Sequence, residues 1–320
     1  MANNSANSFS TCQTSYESKA NLNELQRNIL ISLNIPLAIC NFFANLAIVY
    51  GLIATKQLKN TSLKLIFCLS VSDCCVASIT QTCFTVMIMR YSNETHCIFE
   101  TVAQFLALFF THISAYIIAL IGLDRFVRMK FLNHHSSMIA KSKLIHLLTL
   151  VIGVAFSQAI LYVFGTKLHF FKTAKMVSVG IDICLAVSIL IIHIFTLKAV
   201  RQRRKETTHS HLLRHVDKTM TRIISRMFLS IAVFYVSYAI TSVLHATLKN
   251  KIQGNRKRWL DFCQLFGYLL SYCNSFVNAV IFLLANAKVR KYLARFKMWH
   301  AFKKKEADCL HIQESVETSI

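Results

Sequence analysis

The chain has 320 residues, is 54% hydrophobic and 16% charged, and has a mean hydropathy of +0.46. That is too apolar for a soluble protein of this length, so the excess must face lipid. A net charge of +22 would suit nucleic acid, but the basic residues sit between apolar runs, which sets nucleic acid aside as a partner and makes them topology signals.

Seven windows are each long enough to cross roughly 30 Å of hydrocarbon as helix: Asn28 to Ala54, Leu65 to Met89, Thr101 to Leu123, Leu144 to Phe164, Met176 to Leu197, Met227 to Leu248 and Trp259 to Ala285. Backbone groups in lipid have no water to bond, so each window is expected to be helical. The expected fold is all-α, a seven-transmembrane helix bundle.

Residues 1–27 are polar, rich in Ser and Asn, and read as an extracellular tail without the apolar core of a cleavable signal, so the first helix serves as the targeting signal. Helix one carries Asn45 and the only proline, Pro36. Helix two carries Asp73, a carboxylate that is costly at mid-membrane and must face the bundle interior. Helix three holds His112 and Ser114 and ends on Asp124-Arg125-Phe126, after an apolar run, Thr101 to Leu123, with one His and no Asp, Glu, Lys or Arg. Helix four has no charge and no Trp, and the loop after it, Gly165 to Lys175, has no Cys. Helix five adds Asp182 and His193. The next loop, Lys198 to Arg226, is basic and holds Asp217. Helix six has an aromatic cluster, Phe234-Tyr235-Val236-Ser237-Tyr238, and helix seven holds Asp261 and the run Tyr272 to Phe282.

Beyond it, residues 286–320 begin with Val289, Tyr292, Leu293 and Phe296 at helical spacing among Lys and Arg, the pattern of a short amphipathic helix on an anionic inner leaflet. With the N-terminus outside, the cytoplasmic segments carry 25 Lys and Arg and the outer ones 11, so the positive-inside rule puts the C-terminus in the cytoplasm. The sequons Asn3-Asn4-Ser5 and Asn93-Glu94-Thr95 then fall outside, as glycosylation at Asn3 and Asn93 requires, and Asn60-Thr61-Ser62 falls inside. Cys12, Cys97 and Cys263 can reach the oxidising side, which permits one disulfide without fixing its pairing.

Taken together these residues resemble a divergent rhodopsin-like (class A) G-protein-coupled receptor, over nearly the whole chain. Asn45 and Asp73 match the family's helix-one asparagine and helix-two aspartate, 28 positions apart, and Arg125 of the Asp-Arg-Tyr-like motif lies 52 positions beyond Asp73. Asn278-Ala279-Val280-Ile281-Phe282 matches the helix-seven Asn-Pro-x-x-Tyr motif. The chain departs from the pattern at Phe126, Ala279 and Phe282, at Tyr238 and Ile240 where helix six usually has Trp and Pro, and in the Cys-free second outer loop. The motif at Asp124 is similar to the adenosine-receptor version, and the short second outer loop is similar to that of melanocortin receptors.

The resemblance implies a plasma-membrane receptor that takes an extracellular ligand among its helices and activates a heterotrimeric G protein, with no enzyme activity and no organic cofactor. It places Asp124, Arg125, Phe126, Asn278 and Phe282 in the coupling switch; Met220 stands where many members carry an acid that pairs with the arginine, and Asp217, three residues earlier, reads either as a second restraint on Arg125 or as a solvated loop charge. It places Asp73, Ser114, Asn274 and Asn278 around an allosteric sodium ion. From the residues alone, a bare carboxylate at Asp73 must be neutralised, paired or ion-bound, so sodium, protonation and a structural hydrogen-bond network all remain open. The implied ligand pocket is lined by Ala107, Thr111, His112, Asp182, Tyr238, Ser242, His245, Tyr268 and Tyr272. Ala107 stands where amine receptors carry their counter-ion, and Tyr272 where opsins carry the retinal lysine. His112 and Asp182 are set to meet across helices three and five, as a ligand contact, a pH-sensitive pair or a structural one. The alternative function is an ion-coupled transporter or proton relay through Asp73 and Asp182, but the two similar halves and Gly- or Pro-broken helices of such proteins are not evident.

Overall fold

The computed structural model describes residues 22–89, 97–130, 141–167, 171–206, 211–249 and 251–295, and of residues 211–225 the helical path alone. The described residues form helices and no strand: α1 (Glu24–Ala54), α2 (Thr61–Met89), α3 (Cys97–Lys130), α4 (Lys141–Lys167), α5 (Phe171–Glu206), α6 (His211–Leu248), α7 (Gly254–Ala285) and a short α8 (287–295). The first seven are long and apolar enough to cross a membrane, which makes the chain a multi-pass membrane protein with a seven-helix bundle. The sequons at Asn3 and Asn93 and the side chains of Cys12, Cys97, Asp217 and Phe296 lie outside the described residues. Cys263 is exposed and unbridged.

Helix ends depart from the apolar windows where caps set them. Asn23 and Gln26 form a capping box, the Gln26 N–H donating to the Asn23 side chain at 2.8 Å and the Asn23 N–H to the Gln26 side chain at 3.1 Å. That starts α1 at Glu24, inside the expected tail, and a hydrophobicity window cannot register it. Asn60 caps α2 by accepting from the Ser62 N–H at 3.0 Å, four residues before the apolar run begins. At the start of α7, Gly254 takes φ +61°, a left-handed conformation that favours glycine.

The helices pack in a ring, each against its neighbour in sequence, with α7 closing on α1 and α3 touching α2, α4 and α5. Lipid is as apolar as the side chains it would replace, so packing and interhelical hydrogen bonds hold such bundles together. The joint between α1 and α2 shows this. Asn34 Nδ2 donates to the Gln81 carbonyl and the Thr85 hydroxyl, both at 2.8 Å; Asn41 donates to Gln81 Oε1 at 3.1 Å, and Gln81 Nε2 returns to Asn34 Oδ1 at 3.1 Å. Asn45 extends the set through Asn41 at 2.8 Å. At about 0.6 kcal/mol per interhelical bond, the four between the helices contribute roughly 2–3 kcal/mol. Gln81 directly follows one π-helical turn, Val76–Thr80, where the ordinary helical ladder is interrupted.

The apolar stripe of α8 docks on protein. Val289 is fully buried against Gly51 of α1, Leu293 joins the main core cluster, and the Tyr292 and Tyr50 hydroxyls are 3.3 Å apart. A Cβ on Gly51 would come within 2.5 Å of Val289 Cγ1, on a stiff β-branched side chain. Gly51→Ala is therefore expected to destabilise the protein by about 1–3 kcal/mol. Thermal unfolding in detergent checks this, and adding Val289→Ala should recover most of the loss.

Candidate functional site

A polar axis runs through the bundle with Asp73 near its middle. The carboxylate is wholly buried, and its Oδ1 accepts from Ser114 of α3 at 2.7 Å and Ser275 of α7 at 2.8 Å. Asp73 Oδ2 is buried with no hydrogen-bond partner. The four expected residues divide in two, because Asn274 and Asn278 turn to α6, where Ser230 Oγ lies 3.0 Å and 3.3 Å from their Oδ1 atoms. The Asp73 cluster offers one carboxylate and two hydroxyl oxygens across three helices, a donor set of the kind hard cations take. Asp73, Ser114 and Ser275 thus fit a sodium ion better than Asp73 with the two asparagines. Groups of three or more His, Cys, Asp or Glu able to hold a metal do not occur among the described residues.

At one rim of the bundle Asp124 and Arg125 are both buried, 2% and 3% exposed. Ser62, in the first turn of α2, donates to Asp124 Oδ2 at 2.5 Å and joins α2 to α3. Phe126 is half-buried and faces Phe195 of α5 at 6.2 Å between ring centroids, and Phe282 is in the core. One turn before Arg125, Gly122 makes room for Phe228 of α6: a Cβ there would meet Phe228 Cζ at 2.5 Å and Ile192 at 3.3 Å. The Phe228 ring also lies edge-on to His193 of α5 at 4.9 Å. One phenyl group thus joins α3, α5 and α6 at a point one helical turn from Arg125 on α3.

In the other half of the bundle the expected pocket residues fall into two sets. His112 Nε2 sits 3.0 Å from Asp182 Oδ1, joining α3 to α5, with both residues buried; His112 Nδ1 has no partner. Tyr116, one turn along α3, donates to Gln158 of α4 at 2.8 Å. The second set zips α6 to α7: His245 Nε2 lies 2.9 Å from Asp261 Oδ1, Gln264 donates to Ser242 at 3.1 Å, and the Tyr238 and Tyr268 rings are 5.3 Å apart. Between these layers Gly267 lets Thr241 approach so closely that a Cβ would lie 2.2 Å from its hydroxyl. Thr111 meets α6 through its carbonyl, which accepts from the Tyr235 hydroxyl at 3.4 Å. Tyr272 packs edge-on to Phe84 of α2, and Ala107 is half-buried on α3. Ser242 and His245 are thus engaged with α7.

No family model matches the chain, and a search of curated proteins also gives no match.

The sequence assigns no joint between helices to Ser62, which stands out there only as part of a sequon, to Ser275, which only extends the helix-seven motif, or to Ser230, Gln81, Gln264 and the close-contact glycines. A serine in an apolar run gives no signal of its own. Asn34, Asn41 and Asn45, spaced seven and four apart, do mark one polar face of α1. The His112–Asp182 joint has a measurable signature. His112→Phe leaves a buried carboxylate without its partner and should cost about 3–5 kcal/mol, whereas His112→Phe with Asp182→Leu should recover most of it. Thermal unfolding of the two variants decides this.

Proposed function

We propose that the chain is a G-protein-coupled receptor of the plasma membrane, with an extracellular N-terminus glycosylated at Asn3 and Asn93 and a cytoplasmic C-terminus. The observation that carries the reading is Asp124-Arg125, buried at the end of an apolar α3 one turn from an apolar contact with α6, Phe228 on Gly122. Such a pair serves poorly as a membrane anchor, because snorkelling charges reach for water. It suits a gate. In the closed form Arg125 is hidden, and a G protein reaches it only when α6 moves off α3.

The ligand acts by differential affinity. A molecule that binds better when α6 is displaced shifts the population toward the open form, by tenfold for each ~1.4 kcal/mol of preference. Asp182 and His112 on one side and Tyr238 and Tyr268 on the other supply polar and aromatic contacts to that ligand. A sodium ion, when bound, supplies charge neutralisation to Asp73. Asp73, Ser114 and Ser275 would hold it, from α2, α3 and α7. Asn274 and Asn278 act apart from it, tying α7 to Ser230 on α6.

Nucleotide exchange with purified chain and a panel of heterotrimeric G proteins tests the reading. Phe228→Ala should raise basal exchange several-fold on at least one G protein at equal protein amount, and Arg125→Ala should abolish it. No exchange on any G protein with Phe228→Ala, together with ion-coupled uptake that Asp73→Asn abolishes, would replace the receptor with a transporter.

A further inference from the structure

The turn between α6 and α7 concentrates charge that the receptor reading leaves unused. Lys249, Lys251, Arg256, Lys257 and Arg258 fall within ten residues that contain no acid. The carboxylate that follows, Asp261, is buried and already held by His245. Lys251, Arg256 and Arg258 are exposed, and none of the five cations forms an ion pair with a described carboxylate. Burial, helped by repulsion from Lys257 and opposed by Asp261, holds the Lys249 ammonium below the usual lysine range. Cations in the first turn of a helix also oppose its dipole, so the stability of α7 gives no reason for Arg256, Lys257 and Arg258.

Depth supplies the reason. Trp259 follows directly, 61% exposed, with its ring edge-on to Phe262 at 5.7 Å. Tryptophan collects where acyl chains meet head groups, its ring amphipathic enough for both. At about 1.5 Å of rise per residue, the three cations lie within a turn of that boundary, at the level of lipid phosphates.

We propose that the α6–α7 turn is a lipid head-group site, in which Arg256, Lys257 and Arg258 bind the phosphate of an anionic phospholipid while Trp259 and Phe262 lie against its acyl chains. With the C-terminus in the cytoplasm this turn lies on the outer face, so the lipid is an anionic one of the outer leaflet, and the site stands apart from G-protein coupling. A bound head group offsets the repulsion between Lys249 and Lys257 and holds the end of the α6–α7 zip in the leaflet.

Trp259 reports on it directly. The chain has two tryptophans, Trp259 and Trp299, so Trp299→Phe leaves Trp259 as the sole emitter. In phosphatidylcholine nanodiscs, dibrominated phosphatidylglycerol should quench Trp259 about twofold or more over equal dibrominated phosphatidylcholine, since one surface cation favours an anionic lipid by about fivefold. Adding Arg256→Gln, Lys257→Gln and Arg258→Gln should remove the excess while leaving quenching by the phosphatidylcholine probe unchanged, which shows that Trp259 keeps its depth. Equal quenching by both lipids in the parent, or an excess that survives the triple change, overturns the proposal. An excess abolished by millimolar inorganic phosphate also overturns it, since the site would then be one for a soluble anion.

Discussion

Within a bilayer no water is at hand for a polar group that loses its partner, and this single constraint orders the bundle. A buried amide, hydroxyl or carboxylate is stabilised only by a partner on the same or another helix, and atoms left without one, such as Asp73 Oδ2, are exceptions among the described residues. The result is a set of polar joints: Asn34, Asn41 and Gln81 between α1 and α2, Ser62 and Asp124 between α2 and α3, His112 and Asp182 between α3 and α5, and the His245–Asp261 and Ser242–Gln264 layers between α6 and α7. Apolar contacts fill the space around them, but lipid competes with these almost equally well. The joints therefore settle which helix sits beside which.

The joints are unevenly placed, and that bears on movement. α6 is tied to α7 along much of its length, from His245 and Ser242 down to Ser230 with Asn274 and Asn278. Towards α3 and α5 its described side-chain links include the long Tyr235–Thr111 hydrogen bond and the seat of Phe228 on Gly122 and beside His193. In the proposed receptor, moving α6 off α3 at Gly122 breaks the apolar seat of Phe228, while the hydrogen-bonded seam with α7 serves as the hinge. The proposed switch needs such unevenness, since a helix bonded alike on every side would have a single packing.

The seven spans were legible because twenty or so apolar residues have few other uses, and Asp73, Asp124-Arg125 and the His112–Asp182 pair stood out because charge in such runs is rare. Helix ends were not legible. Asn23, Asn60 and Gly254 set them through side-chain caps or a positive φ, which hydrophobicity does not record. The split of the Asp73 set was also hidden: Ser275 and Asn274 are adjacent in sequence, yet about 100° apart around a helix, and only the packed structure shows that one faces Asp73 and the other α6. His245 and Ser242 read as pocket-lining from one helix alone, whereas Asp261 and Gln264 on α7 engage them. Gly51, Gly122 and Gly267 matter for what approaches them, which the glycine itself cannot announce.

In the proposed receptor, α6 leaves α3 at the Arg125 end when a G protein binds. Spin labels on unnatural residues at Lys59 of the α1–α2 link and Arg226 of α6, both exposed, measure that separation by pulsed electron resonance. Nucleotide-free G protein should lengthen the distance by roughly 5 Å or more, about a one-turn displacement. A distance distribution that stays the same with G protein present would contradict it.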